Sequence, residues 1–543
     1  MKKSTVRLVL TAFAVALFSQ GAATAQESPT LTEPVHATQD DLVPSRTYSS
    51  PTLAVDPEND RNIVAAFVEM RTRVCGIMRS TDGGQTWTRP DALPAPASYP
   101  FCLHGSGGVT QTPMAFGSEG MLYLGLAGWD EQDGGMRSGN ISVLVSRSDD
   151  LGESWQTTIA RDARGFEDDD IENNRPVSAI AVDTSGAQDT VYVAWRSGSF
   201  PTTIPAVAVS TDGGETFSDP IDAKAGFFDD PDNFPDDVPE DQRVAENGGG
   251  NNPSMVVDAD GTVYVLWERL LSRDVDTEAE RNSYVSRSTD RGETWEIFEV
   301  APELPNLGTS IMRWSPEGGA DGSLHVAYHA KPDQTQGDAD IYYQRSTDAG
   351  ETWTEPTLIS DDDPEALHSQ LLPNLEVGPD GRLEAAWWDF RDNIGNHTND
   401  VYHAVSFDNG ETWSENRRIT DQGIDRSIGP WGGGFDMRMP VGMAVSDAHT
   451  IFGYSDTRHG DELTQTQDIY TAALQYEPLP ATFPRVLAYV LAAVIGLLFV
   501  GLILVAAAFF ARRAGGGPPT KPSRGAPEPE SKPARSSKPA QKA

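Results

Sequence analysis

Residues 80–87 read Ser-Thr-Asp-Gly-Gly-Gln-Thr-Trp, and the repetition of this stretch decides the fold. Five further stretches follow the same pattern, Ser-x-Asp-x-Gly-x-(Thr/Ser)-aromatic, at residues 148–155, 210–217, 288–295, 346–353 and 406–413. The third-position aspartates are Asp82, Asp150, Asp212, Asp290, Asp348 and Asp408. Their separations of 68, 62, 78, 58 and 60 residues indicate an array of similar modules.

The chemistry of the repeat is that of a hairpin turn. Its Asp accepts hydrogen bonds from nearby backbone NH groups, its Gly supplies a positive φ, and the Thr and Trp that follow begin the next strand. Every module needs its own copy of such a turn, whereas an active site needs only one. We therefore interpret the six aspartates as structural and not catalytic.

This repeat is the Asp box, also called the bacterial neuraminidase repeat, and with it the chain resembles the sialidase superfamily of β-propellers. The resemblance implies an all-β fold built from four-stranded antiparallel blades. Apolar first strands recur at about residues 51, 112, 177, 253, 310, 373 and 440, which predicts seven blades. The alternative is six blades, the number in enzymatic sialidases, with one module serving as an accessory sheet.

The last module, residues 440–475, has neither an Asp box nor a fourth strand. Residues 32–38, Thr-Glu-Pro-Val-His-Ala-Thr, read like the fourth strand at residues 354–360, yet no Asp box precedes them. We predict that the N-terminal segment 26–50 supplies the outer strand of the last blade and that residues 51–478 form the rest of the propeller. This closure would remove an exposed sheet edge.

Both ends of the chain carry targeting signals. Basic residues, an apolar run and Ala23-Thr24-Ala25 make residues 1–25 a predicted secretory signal peptide. After a linker at 479–485, residues 486–511 are uncharged and predict one transmembrane helix, followed by Arg512 and Arg513. Residues 512–543 form a basic tail with the composition of a disordered segment. The predicted protein is single-pass in the cell membrane, with its propeller outside and its tail in the cytoplasm.

The charge of the chain limits its partners. Its net charge is −40, and without the signal segment (+3) and the tail after Ala511 (+6) the exported part carries −49. Nucleic acid is therefore excluded as a partner, while neutral glycans, basic proteins and cations are compatible with this surface. An acidic, solvated face that only maintains solubility is the simpler interpretation. The two cysteines, Cys75 and Cys102, are both in the exported part and predict one disulfide, with two free thiols as the alternative.

Long connections between second and third strands and between blades predict one binding face, here called the long-loop face. The candidate ligand-binding residues there are Arg71, Trp129, Arg269, Trp388, Arg391, Trp431, Arg438 and Arg458. No cofactor is predicted. Calcium is a weak alternative at an acidic cluster that matches no defined calcium loop, Asp229, Asp230, Asp232, Asp236 and Asp237.

Catalysis depends on residues that this sequence carries only in part. The resemblance implies three arginines around a substrate carboxylate, a Tyr/Glu nucleophile pair and an Asp as acid/base, with the first Arg in a Tyr-Arg-Ile-Pro motif. Here Ser49 and Ser50 stand in place of Arg-Ile, and residues 72–79 contain no carboxylate. A hydroxyl cannot replace a bidentate guanidinium. The remaining catalytic candidates are Glu69, Asp389 and Tyr454.

These observations favour a membrane-anchored, extracytoplasmic propeller that binds a glycan or protein ligand. An exo-acting, sialidase-like glycoside hydrolase is the first alternative, and a scaffold for envelope assembly is the second.

Overall fold

The computed structural model describes residues 29–39, 47–72, 74–90, 94–96, 99, 101–103, 113–129, 141–163, 177–198, 203–227, 248–270, 281–300, 306–317, 322–331, 339–362, 368–392, 397–429 and 440–476. The chain divides into two units, residues 1–477 and 478–543, and every described residue belongs to the first. Within the described residues no helix is long and apolar enough to cross a bilayer. The predicted signal segment, transmembrane helix and tail lie outside them.

The described part of the chain is all-β apart from one short 3-10 turn, Ser118–Gly120. Its strands, in chain order, are β1 (Thr30–Leu31), β2 (Val35–His36), β3 (Tyr48–Asp56), β4 (Asn59–Glu69), β5 (Val74–Ser80), β6 (Phe101–Leu103), β7 (Met114–Phe116), β8 (Leu122–Trp129), β9 (Ser142–Ser148), β10 (Gln156–Arg161), β11 (Val177–Asp183), β12 (Thr190–Ser197), β13 (Ile204–Ser210), β14 (Ile221–Asp222), β15 (Gly248–Val257), β16 (Val263–Leu270), β17 (Arg281–Ser288), β18 (Glu296–Val300), β19 (Asn306–Ser315), β20 (Ser323–Ala330), β21 (Asp340–Ser346), β22 (Thr357–Leu358), β23 (Gln370–Val377), β24 (Leu383–Asp389), β25 (Thr398–Ser406), β26 (Arg417–Arg418), β27 (Ile424–Asp425), β28 (Gly442–Val445), β29 (His449–Asp456) and β30 (Asp468–Gln475).

These strands form seven antiparallel blades, which confirms the predicted number. The blades are β3–β5, β6–β10, β11–β14, β15–β18, β19–β22, β23–β27 and β28–β30. Blades four and five are continuous through one pairing of β17 with β19. A central cavity of about 440 Å³ is lined by the inner strands of all seven blades, for example by Thr52, Ala115, Ile180, Met255, Ile311, Val377 and Ala444.

The N-terminal segment lies on the outer edge of the last blade. Strands β1 and β2 both pair antiparallel with β30, with Thr30 opposite Gln475 and Val35 opposite Thr471. The backbone NH of Thr32 donates to the carbonyl of Ala473, and the backbone NH of Ala37 donates to the carbonyl of Ile469, both at 2.9 Å. The last blade is therefore assembled from both ends of the propeller, as the repeated Thr-Glu-Pro segment predicts.

The core lies between blades, because each sheet packs on its neighbours with both faces. Trp195, Trp267 and Trp387 occupy equivalent places on the second strands of three blades and are fully buried. Strand β24 shows the consequence, since all seven of its residues are buried. Its neighbouring side chains Trp387 and Trp388 enter different hydrophobic clusters on opposite faces of the blade.

All six Asp boxes form the same closed turn. In each, the Asp carboxylate accepts the backbone NH at 2.8–2.9 Å and the hydroxyl at 2.5–2.6 Å of the Thr or Ser four residues later. The first-position Ser donates to the same Asp at 2.7–2.9 Å. The fifth-position Gly has φ between 82° and 90°, which explains its recurrence. Every Asp is thus engaged within its own turn, as expected for a structural residue.

Two further contacts join neighbouring blades, one at the Asp-box end and one at the long-loop end. An arginine directly before the box reaches a carbonyl in the box of the next blade, as in Arg147 to Gly213 O at 2.9 Å and Arg345 to Asn409 O at 2.6 Å. Cys75 on β5 is disulfide-bonded, and Cys102 is the only other cysteine in the sequence. The disulfide therefore ties the first blade to β6 of the second.

Candidate functional site

The long-loop face carries the same buried ion pair in blades six and seven. The second strand of each blade ends in Asp-x-Arg, at residues 389–391 and 456–458. In both, the Arg backbone NH donates to the Asp carboxylate, at 2.9 Å for Asp389 and 2.8 Å for Asp456, and the Arg guanidinium contacts the other oxygen at 2.8 Å. Both aspartates are buried, so each carboxylate is fixed by its own arginine and is not presented to solvent.

In both blades the arginine also contacts a second, more exposed aspartate. Arg391 contacts Asp361 at 2.6 Å, and Arg458 contacts Asp421 at 2.7 Å. The Asp361 and Asp421 side chains are 43% and 41% exposed. Burial alone would lower the pKa of Arg391, but its hydrogen bonds and charge interactions with these carboxylates raise it. Asp362 also lies 3.9 Å from Arg391. Arg391 is therefore shared by three carboxylates and Arg458 by two, so acidic side chains outnumber the arginine at both sites.

Blade one has an incomplete version of this element. Glu69 is buried and accepts the backbone NH groups of Thr47, Arg71 and Thr72 at 3.2, 3.2 and 2.6 Å. The Arg71 guanidinium instead reaches Thr47 Oγ1 at 3.2 Å and the carbonyl of Thr464 in blade seven. Burial would raise the pKa of Glu69, but hydrogen bonds from Thr72, Thr47 and Arg71 hold it below its usual range. Glu69 is therefore unsuited to act as a general acid, which requires a raised pKa.

Asp340, near the Asp389–Arg391 pair of blade six, has a raised pKa, in contrast to Glu69. Burial, together with the nearby charges of Asp362 and Asp389, raises the pKa of Asp340 to about 6, although a hydrogen bond from Ser360 at 3.1 Å opposes the shift. Asp340 begins β21 at the long-loop end of blade five. This is the type of carboxyl that sequence reasoning did not find, because its pKa depends on residues of the next blade.

Several predicted site residues prove to be core residues. Trp388, predicted to contact a ligand, is 3% exposed and packs between blades, and Arg269 is 6% exposed with its guanidinium 6.0 Å from the Phe227 ring. Tyr454 is fully buried, its hydroxyl has no hydrogen-bond partner among the described residues, and burial raises its pKa. A buried, protonated phenol is not placed to attack a substrate.

Other candidates lie outside the described residues. These are Trp431 and Arg438, together with the acidic cluster of Asp229, Asp230, Asp232, Asp236 and Asp237. For Trp129 only the backbone is described, at the end of β8.

Sequence reasoning missed one cluster altogether. His36, His459 and Asp468 converge on the outer edge of blade seven, with one potential metal-binding atom from each lying within 4.8 Å of the others. His36 and His459 are 423 positions apart in the chain, and neither belongs to a recognisable motif. Only closure of the ring brings the three side chains together.

Comparison with known proteins agrees with the repeat seen in the structure. The model of the BNR/Asp-box repeat matches residues 78–89 and 404–415. The chain is an Asp-box propeller. This assignment and the seven blades confirm the resemblance to the sialidase superfamily at the level of repeat and fold. No curated protein sequence matches the chain.

Solved structures with detectable similarity to the Asp-box propeller are distant. An ulvan lyase is 13% identical, covering 80% of this chain and 95% of its own, with a TM-score of 0.46. An α-L-arabinanase from Penicillium chrysogenum is 16% identical, with coverages of 66% and 94% and a TM-score of 0.40. A Hadza microbial sialidase is 16% identical, with coverages of 74% and 74% and a TM-score of 0.39.

The described face of the propeller differs from the arginine arrangement that the family resemblance implies. Arg71, Arg391 and Arg458 belong to three blades, and each is held by partners of its own. Ser49, at the position of the first family arginine, is buried at the start of β3. The guanidinium of Arg71 is bound by Thr47 and the Thr464 carbonyl, whereas those of Arg391 and Arg458 are bound by aspartates.

Proposed function

We propose that this Asp-box propeller binds a neutral or amino-sugar glycan on its long-loop face, and that its C-terminal helix holds it outside the membrane. The observation that carries the proposal is that Arg391 and Arg458 are each paired with more than one aspartate, three for Arg391 and two for Arg458. An anionic sugar approaching either arginine meets a site of net negative charge. The exported part of the chain, at −49, adds to this repulsion.

The exposed edges of these pairs suit a hydroxyl-rich ligand. Asp361 and Asp421 offer carboxylate oxygens to solvent while their arginines keep them in place. A sugar hydroxyl can donate to such an oxygen in a charge-assisted hydrogen bond, with little ordering of the protein on binding. An amino-sugar ammonium group adds favourable charge at the same oxygens. Neutral and cationic glycans are therefore favoured over sialylated ones.

A glycan array probed with the labelled full-length chain tests this proposal. We expect binding to neutral or amino-sugar glycans and none to sialylated ones. The double variant Asp361→Asn, Asp421→Asn should weaken binding about 10-fold, the effect of losing one or two charge-assisted hydrogen bonds. Asp447→Asn is the matched control, because Asp447 is exposed in the β28–β29 turn on the opposite face. Preference for sialylated glycans, or equal loss in both variants, would contradict the proposal.

Glycoside hydrolysis is the second candidate function, favoured by one observation. The pKa of Asp340 is raised to about 6, so this carboxyl keeps its proton to a higher pH than an ordinary Asp, as a general acid requires, and Asp362 and Asp389 lie near it. Its side chain is largely buried, and Asp389 is held by Arg391. Access for a glycosidic oxygen is therefore poor, which places hydrolysis second.

Turnover of fluorogenic glycosides separates the two functions. We expect the full-length chain to hydrolyse neither sialic-acid nor neutral glycosides above the level of an Asp340→Asn variant. Turnover that Asp340→Asn abolishes, and that falls as the pH rises through about 6 where the acid loses its proton, would instead establish hydrolysis.

A further inference from the structure

The outer edge of blade seven brings together two imidazoles and a carboxylate from three segments of the chain. His36 lies on β2, His459 in the turn after β29, and Asp468 at the start of β30. His36 Nε2 lies 3.4 Å from one Asp468 oxygen, and His459 Nδ1 lies 3.1 Å from the other. The two rings have centroids 5.0 Å apart. We propose that this cluster binds one divalent transition-metal ion, with Zn²⁺ as the best fit, and that the ion clasps the N-terminal strand to the closed ring.

The chemistry of the donors selects the class of ion. Two imidazoles and one carboxylate suit Zn²⁺ and its neighbours in the first transition row, whereas Ca²⁺ requires six to eight oxygen ligands. Zn²⁺ bound at about 2.0–2.1 Å in tetrahedral geometry holds its ligands roughly 3.4 Å apart. The separations of 3.4 and 3.1 Å, each to a different Asp468 oxygen, are close to this value, and one donor atom from each of the three residues lies within 4.8 Å of the others. Three protein ligands leave the fourth position for water, and the His459 side chain is 50% exposed, so an ion has a path from solvent.

The surroundings hold the donors in position. The His36 ring stacks on Tyr470, with centroids 4.9 Å apart and an interplanar angle of 5°. Thr38 donates to Asp468 Oδ1 at 3.3 Å and accepts the Ile469 backbone NH at 3.1 Å. Such outer contacts orient metal ligands. Arg458 lies over the Tyr470 ring at 4.1 Å, and its charge is offset by Asp456 and Asp421.

One polar atom in the cluster is poorly satisfied without an ion. His36 Nε2 is buried, and among the described residues it makes no hydrogen bond of normal geometry. Its contact of 3.4 Å with Asp468 is long for a charge-assisted hydrogen bond. A buried imidazole nitrogen directed at a carboxylate and a second imidazole is the arrangement that a metal ion completes.

At this location a bound ion would hold the N-terminal segment on blade seven. The N-terminal segment is joined to β30 through short strands, β1 and β2, of two residues each. One ion bridging His36 to His459 and Asp468 would tie this segment to two others of blade seven. An ion that binds the closed ring but not the open one stabilises the closed ring by mass action. Zn²⁺ would therefore control whether the outer strand of the last blade stays docked.

Isothermal titration of the chelator-treated, full-length chain with ZnCl₂ tests the site. We expect one Zn²⁺ per chain and no comparable binding of CaCl₂. His459→Gln should reduce Zn²⁺ affinity by at least about 10-fold, and because His459 is half exposed this variant should still fold. His397→Gln is the matched control, since His397 is an exposed histidine of blade six. Absence of Zn²⁺ binding, or binding that His459→Gln leaves unchanged, would overturn the proposal.

Hydrogen exchange of residues 30–38 tests the clasp. Zn²⁺ should slow exchange in this segment at least about 10-fold in the parent and in His397→Gln, but not in His459→Gln. Zn²⁺ binding that depends on His459 yet leaves this exchange unaltered would overturn the clasp.

Discussion

The Asp-box turns and the Asp-x-Arg ends of the second strands both use aspartates, but in opposite ways. Among the described residues, each Asp-box carboxylate accepts hydrogen bonds from groups within four residues in the chain, such as Ser210 and Thr216 around Asp212. The carboxylates of the long-loop face fix an arginine that also binds an aspartate 30 or 37 residues away, Asp361 or Asp421. The first arrangement closes a turn, and the second ties a blade to the connection that precedes it.

This difference shows which contacts a repeated sequence motif can predict and which it cannot. A turn satisfied by its own residues recurs wherever its octapeptide recurs, so six similar stretches give six similar structures. The Asp-x-Arg pairs depend on a residue from the preceding connection. Glu69-Met70-Arg71 resembles the other two in sequence, yet Arg71 contacts a different blade. Contacts between distant segments should therefore matter more to stability than contacts within a turn.

The largest expected effect follows from opening the ring. Deleting residues 26–40 removes β1 and β2, together with their backbone hydrogen bonds to β30 and the packing of Leu31 and Val35. We expect a loss of roughly 5 kcal/mol in the free energy of unfolding, at about 1 kcal/mol for each hydrogen bond and buried aliphatic side chain. The melting temperature of the full-length chain measures it, and deletion of residues 524–543 is the control. Equal melting temperatures would show that closure contributes nothing.

A smaller effect is expected when a buried carboxylate loses its charge. Asp389→Asn removes the hydrogen-bonded buried carboxylate of Arg391, leaving Asp362 at 3.9 Å, and should cost about 3 kcal/mol. Asp361→Asn removes the exposed partner of the same arginine and should cost about 1 kcal/mol or less. Denaturant unfolding of both variants measures the contrast, and Asp456→Asn against Asp421→Asn repeats it in blade seven. Equal costs within each pair would contradict the assignment of buried and exposed roles.

The smallest effect is expected from a single Asp box. Asp212→Asn should cost about 1 kcal/mol at pH 7, because these hydrogen bonds lie close to solvent. Hydrogen bonds from Thr216 and Ser210 lower the pKa of Asp212 to about 2, so its contribution is present above about pH 4 and is lost as the pH falls through 2.

Denaturant unfolding between pH 7 and pH 2 should therefore show the parent and Asp212→Asn converging at the acidic end. Asp219→Asn is the control, because the Asp219 side chain is fully exposed directly after the same turn. A difference from the parent that stays constant down to pH 2 would argue against the hydrogen-bonded carboxylate.

Parts of the site were open to prediction and others were not. In the sequence, Glu69-x-Arg71, Asp389-x-Arg391 and Tyr454-x-x-x-Arg458 occupy equivalent positions after a second strand, which indicates a structural carboxylate–arginine element. The structure has this element in blades six and seven. Trp388 was a candidate ligand-binding residue and Tyr454 a candidate catalytic residue, and the side chains of both are buried. In a propeller both faces of a sheet pack on neighbouring blades, so alternation along a strand does not show which residues reach solvent.

The sequence by itself determined the turns, the seven blades and the segment that completes the last of them. These depend on local hydrogen bonding and on repetition along the chain, and both are visible in the order of residues. Tertiary structure decided which arginines are paired with aspartates and which carboxyl, Asp340, has a pKa raised to about 6. It also decided that His36 lies beside His459 and Asp468. Those properties arise from side chains of different blades or of the two ends of the ring, and distance along the chain carries no information about them.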